Sequence, residues 1–124
     1  MNNKEKLYNN LITCYTDLNV SKSFSVDLKR LGYIPDGFIV RSIQAHSKAN
    51  SDEFALIINC NLINDTIGAI MMVAGSAVSN DFTDFKLKSM NSNVLTLNFL
   101  APNGTQLSVN NATYVIVSLE FYKN

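Results

Sequence analysis

Residues 23–45, SFSVDLKRLGYIPDGFIVRSIQA, decide how the chain is read. Residues 23–28 alternate polar and apolar side chains, the period-two pattern of a strand with one buried face. Residues 31–37 then bring together Gly32, Pro35, Asp36 and Gly37, residue types that fix or permit tight backbone corners. Residues 38–45 alternate again. Strand, corner and strand in so short a stretch predict an antiparallel β-sandwich.

The same grammar extends in both directions. Residues 11–15 are β-branched and aromatic enough for a first strand, expected to pair with 23–28 across a turn at 17–21. Residues 1–10 are polar and expected to form a flexible arm, leaving 11–124 as one domain. HSKANSD (46–52) reads as a loop, and EFALIINC (53–60) as a strand buried in the sheet. TIGAIMMV (66–73) is another apolar strand, with a helix through 63–73 as the competing reading. Gly68 within it suggests a bulge or a close backbone approach. Residues 75–83 are small and polar and read as a surface loop, and 85–90 alternate weakly. Residues 94–100 alternate clearly, and Pro102, Asn103 and Gly104 follow. The Asn-Gly pair predicts a type I′ hairpin, with 106–109 as its return strand. A turn at Asn110 and Asn111 leads to a long closing strand at 113–122. The expected fold class is all-β, an antiparallel sandwich or jelly roll in a single domain.

Bulk properties exclude several function classes. The 124 residues suffice for one ordinary core. Lys plus Arg and Asp plus Glu each number 10, and only Arg30 and Arg41 are arginines, so no basic stripe for nucleic acid is visible. The most apolar run, 67–74, falls well short of the ~20 residues of a membrane helix. The first residues lack the apolar core of a signal peptide, which points to synthesis in a reducing cytoplasm. Cys14 and Cys60 are then expected to be free and buried. Asn-x-Thr triplets at Asn64, Asn103 and Asn111 read as turn chemistry.

Catalytic and metal-binding patterns are sparse. His46 is the single histidine, which excludes sites needing two. It could serve as base to Cys14 or Cys60, but a cysteine in an apolar strand is usually an inert small hydrophobe. Asp81 and Asp84, or Asp52 and Glu53, match no calcium-loop spacing. Gly32 and Gly37 belong to the corner, where no helix follows to make a phosphate cradle. No enzyme, cofactor or metal is expected. Tyr8, Tyr15, Tyr33, Tyr114 and Tyr122, with seven phenylalanines, fit core and rim positions. An exposed subset would suit a carbohydrate or protein partner.

Three runs carry a resemblance: SFSVDLKRLGYIPDGFIVRSI (23–43), LIINCNLINDTIGAIM (56–71) and YVIVSLEFYK (114–123). Together they resemble small all-β virion proteins of tailed bacteriophages, of the capsid decoration, auxiliary and head-fibre kinds. The resemblance implies a non-enzymatic structural component of a virion, assembled in the host cytoplasm. Its implied partners are further copies of itself, as a dimer or trimer, and the major capsid or other virion proteins. A surface including Tyr33, Phe38 and Arg41 would form the docking face, with the N-terminal arm as an anchor. The alternative is a carbohydrate- or receptor-binding sandwich of a phage fibre, with a glycan as partner.

Overall fold

Alternating side chains build nine strands in the computed structural model, which describes residues 8–63, 65–79, 82–87, 93–109 and 111–124. They are β1 (Tyr8–Asp17), β2 (Ser23–Asp27), β3 (Gly37–Ser47), β4 (Phe54–Cys60) and β5 (Asp65–Met72), then β6 (Ser76–Ser79), β7 (Asp84–Lys86), β8 (Val94–Leu100) and β9 (Thr113–Lys123). One sheet runs β1-β9-β3-β6, with β7 also paired to β3, and the other runs β2-β8-β4-β5. All the pairings are antiparallel. The chain passes from one sheet to the other at most connections, and β4 and β5 are the consecutive strands that pair within one sheet. This is the jelly-roll form of the β-sandwich.

The inward positions of both sheets interdigitate as one core. Phe38, Val40, Ile43 and Ala45 of β3 and Val115, Val117, Leu119 and Phe121 of β9 meet Leu56 and Ile58 of β4 and Leu95, Leu97 and Phe99 of β8. Each large aliphatic or aromatic side chain buried there contributes about 1.5–3 kcal/mol relative to exposure.

Two bulges adjust which side chains face in. In β3, Val40 pairs with Leu119 but Ser42 pairs with Ser118, so Arg41 is the extra residue. That slip moves the inward set from even positions (38, 40) to odd ones (43, 45). In β5, Ile58 faces Gly68 while Asn59 faces Thr66, which leaves Ile67 as the extra residue. A Cβ on Gly68 would stand 2.4 Å from Ile43 Cδ1, so a bulge and a close approach coincide at this glycine.

Several expectations are corrected. β1 pairs with β9 along its whole length, and β2 pairs with β8, so 11–15 and 23–28 are not partners. Local turn signals at 17–21 did not reveal that the chain crosses between sheets there. Between the expected strand at 23–28 and the corner at 31–37 lies a 3-10 helix, Leu28–Leu31, capped by the Asp27 carboxylate accepting from Lys29 N–H at 2.9 Å and ended by Gly32 at φ +78°. The turn at Pro102 is not type I′. Proline cannot take positive φ, so Pro102 and Asn103 fill the centre of the turn and Gly104 follows at φ +84°. Gly104 N–H donates to Ala101 C=O at 2.8 Å and Ala101 N–H to Thr105 C=O at 3.0 Å, a turn closed by a glycine bulge. The return strand reduces to one bridge, Leu100 to Gln106.

The expected loop at 75–83 contains β6, preceded by a two-residue hairpin of the kind foreseen at Asn103. Val73 and Ser76 exchange backbone hydrogen bonds at 3.3 Å, while Ala74 and Gly75 both have positive φ, +55° and +83°. Of the N-terminal arm, Tyr8–Asn10 belong to β1, and the rest lies outside the described residues, as do Asp81 and 88–90.

Candidate interaction surfaces

The outer face of the five-stranded sheet gathers aromatic and aliphatic side chains into rows. Register places Tyr15 beside Ile116, Ile116 beside Gln44, and Gln44 beside Val78, one residue from each of β1, β9, β3 and β6. The next row sets Tyr114 beside His46. The Tyr114 ring lies 5.4 Å from that of Tyr15 and 5.3 Å from that of His46, so the rows are tied by ring contacts. Leu11, Tyr15 and Val78 remain 60 %, 55 % and 59 % exposed. Sequence alone identified the tyrosines but missed Val78, because SAVS was read as loop. The available signal was its polar–apolar alternation.

The three residues expected at the docking face do not share one face. Phe38 is fully buried, with ring contacts of 5.4 Å to Phe85 and to Phe121, and it faces the core rather than a partner. Tyr33 stands at the corner, where its hydroxyl donates to Asn10 Oδ1 at 3.1 Å and to Phe121 C=O at 3.3 Å. Burial, and then the negative charge of Glu120, push its phenol pKa up. Arg41 is presented outward by its bulge. Its guanidinium holds Glu120 Oε1 through Nη2 at 2.5 Å and Nε at 2.7 Å, and lies 5.6 Å over the Phe82 ring. Phe82 is 56 % exposed and has φ +54°, a strained setting for a non-glycine residue. Arg41, Glu120 and Phe82 thus make a charged and aromatic cluster beside the apolar rows.

Groups with reactive potential are kept apart. Cys14 and Cys60 are free and point into the core, while His46 lies on the outer face of its sheet, so the sheet itself stands between thiol and imidazole. Burial raises the Cys14 thiol to about 12, with smaller influences from Cys60 and Arg30, and burial also raises Cys60. Asp52 is occupied in structure: it accepts from the Ser47 hydroxyl and from Asn111 Nδ2 at 2.8 and 3.1 Å, which pins the 47–53 loop. Asp84 accepts from the Tyr122 hydroxyl at 2.6 Å, and Lys86 donates to the same hydroxyl at 2.9 Å. Among the described residues no group of three or more His, Cys, Asp or Glu is placed to hold a metal.

Two open clefts accompany these surfaces. One, of about 300 Å³, lies under the corner between Leu28, Tyr33, Ile34, Pro35 and Asn93. The other, of about 540 Å³, is lined by Asn19, Ser21, Lys22, Asn98 and Gln106, and is polar and shallow.

No family model matches the chain, and no curated protein matches it by sequence. Solved structures match its fold. The NLP core of Drosophila, whose structure concerns pentamer formation and histone binding, superposes with a TM-score of 0.56 at 15 % identity, covering 94 % of this chain and 100 % of that one. The capsid of the Helicobacter pylori bacteriophage KHP30 superposes at 0.46 with 12 % identity, over 94 % and 89 %. The globular domain of zebrafish complement 1qA superposes at 0.45 with 12 % identity, over 85 % and 73 %. The Drosophila likeness establishes a shared fold, and a fold by itself does not assign a function.

Proposed function

We propose that this protein is a non-enzymatic structural component of a bacteriophage virion, decorating or attached to the capsid and acting through contacts between copies and with other virion proteins. The observation that carries the reading is the outer face of the five-stranded sheet. There Leu11 and Tyr15 of β1 and Val78 of β6 leave apolar surface exposed on either side of the β9 and β3 rows. The resemblance of the 23–43, 56–71 and 114–123 runs to small phage virion proteins supports the same reading. So does the jelly roll, which recurs in viral capsid domains, as a fold-level analogy. The Drosophila NLP core adds a second analogy, since pentamer formation is described for that protein. Its histone binding is not carried over, because this chain balances 10 acidic with 10 basic residues.

On this reading Tyr33 and Arg41 border the docking face from the corner side, and Phe38 supports it from within. Mass spectrometry of purified particles tests the assignment: the protein is expected at many copies per capsid, and its absence from particles that assemble in its presence overturns it. The alternative, a glycan- or receptor-binding module of a fibre, is favoured by the Tyr15, Tyr114 and His46 rings, which offer flat faces for a sugar. Binding on a glycan array, lost in Tyr114→Ala, would select it.

A further inference from the structure

The outer face of the four-stranded sheet carries a run of uncharged hydroxyl and amide side chains, and most of them bond within the sheet. Ser25 Oγ lies 3.0 Å from Thr96 Oγ1, and Thr66 Oγ1 donates to Asn59 Oδ1 at 2.8 Å. Asn61 Oδ1 accepts from Thr96 N–H at 2.7 Å, and its amide donates to Val94 C=O at 2.9 Å. The pattern breaks where Ser23 of β2 stands beside Asn98 of β8. Among the described residues, neither the Ser23 hydroxyl nor the Asn98 amide has a hydrogen-bond partner. Both line the cleft of about 540 Å³, where Gln106, held by its bridge to Leu100, adds a second unpartnered amide. A cleft of about 320 Å³ adjoins it and shares Lys22 and Gln106. The larger volume falls within the range of about 300–1,000 Å³ usual for small-molecule sites.

The wall of the cleft is fixed in advance. Val20 and Ser21 N–H donate to Asp17 C=O at 2.9 and 3.0 Å, and Thr113 N–H donates to Asn19 Oδ1 at 2.9 Å. Phe99 N–H donates to Lys22 C=O at 2.9 Å, which ties this turn to β8. The Lys22 ammonium donates to Leu18 C=O, leaving two of its three protons for a ligand. Among the described residues lining the two clefts, Lys22 is the charged one. The Asp17 carboxylate is turned back into its own turn, where it accepts from Asn19 N–H at 3.0 Å. Leu100, half-buried, and Val20, 83 % exposed, supply apolar surface beside the polar groups.

We propose that this cleft binds an acidic saccharide. The Asn98 and Gln106 amides bond adjacent sugar hydroxyls, Lys22 takes the sugar carboxylate, and Val20 and Leu100 lie against the C–H face of the ring. An amide both donates and accepts, as does every sugar hydroxyl, so two unpartnered amides in one cleft match a ligand with several hydroxyls. A cation with no carboxylate in the cleft to pair with selects the anionic sugar over the neutral one. The site lies on the sheet opposite the Tyr15, Tyr114 and His46 rings, and the proposal does not rest on the virion reading.

NMR of the full chain, following amide signals through a titration with digalacturonate, tests it. Signals of Lys22, Asn98 and Gln106 are expected to shift and to saturate. Galactobiose, the neutral counterpart, is expected to bind about three- to fivefold more weakly, and Lys22→Met to lose that preference. Asn98 and Gln106 are exposed, so Asn98→Ala/Gln106→Ala keeps the fold, checked by unmoved signals elsewhere, and is expected to weaken binding about tenfold or more. Tyr114→Ala is expected to leave binding unchanged. No saturable shift at these residues, or binding undiminished in the double variant, overturns the site. Galactobiose bound as tightly as digalacturonate overturns the part given to Lys22. N-acetylglutamate moving the same signals as strongly overturns the choice of a saccharide.

Discussion

The two halves of β3 have the same strand geometry and opposite surroundings. Before the Arg41 bulge, even the outward side is covered: Ile39 is buried, and Gly37 lies against the Tyr122 hydroxyl and the β7 backbone. After the bulge, the outward positions Gln44 and His46 open onto the rows of Tyr15, Tyr114, Ile116 and Val78. One extra residue thus divides a strand into a segment closed on both faces and a segment with one face free. The closed segment holds the sheet together through Tyr122, Asp84 and Lys86. The open segment belongs to the surface through which the protein is proposed to act. Substitutions in the first should change stability, and substitutions in the second should change association.

The sharpest way to break this division is Phe38→Ala. Removing a fully buried ring that touches Phe85 and Phe121 is expected to cost about 3–5 kcal/mol in denaturant unfolding. A cost below about 1 kcal/mol would mean that Phe38 does not pack the core as described. Gly37→Ala comes next. The new Cβ would lie 2.4 Å from the Phe85 carbonyl oxygen and 2.5 Å from the Tyr122 hydroxyl, so backbone must shift. A loss of about 1–3 kcal/mol is expected, measurable as a lower denaturant midpoint with an unchanged slope. Tyr122→Phe removes only the hydroxyl shared by Asp84 and Lys86, and about 1 kcal/mol should go with it.

Much of this architecture was legible in the sequence. Period-two alternation marked β3 and β8, and apolar runs marked β4 and β5, although each of the latter two buries only one face. Gly68 announced its bulge. Pairing was harder to read: β1 joins β9 across nearly the whole chain, and nothing local to 11–15 records a partner so distant. The hairpins exchanged roles for a similar reason. Asn103 and Gly104 have the preferred residues, but Pro102 shifts the turn by one position. Ala74 and Gly75 have an unfavourable first residue, yet the crossing from β5 to β6 imposes positive φ on both. Of the three residues expected at a docking face, Tyr33 and Arg41 are partly exposed, whereas Phe38 is fully buried, because the inward parity of β3 depends on a bulge that no residue type announces.

The smallest stability effect belongs to the open segment. Tyr15→Ser combined with Val78→Ser should stay within about 0.5 kcal/mol of wild type per site, since both side chains are more than half exposed. Association is where this pair of changes should be felt. The most direct measurement is therefore co-sedimentation of the purified protein with capsids assembled without it, comparing wild type with Tyr15→Ser/Val78→Ser at matched thermal stability. Wild type in the pellet and the double variant in the supernatant is the predicted result. Wild type left in the supernatant, or a double variant that pellets undiminished, would contradict the claim that this face is where the protein works.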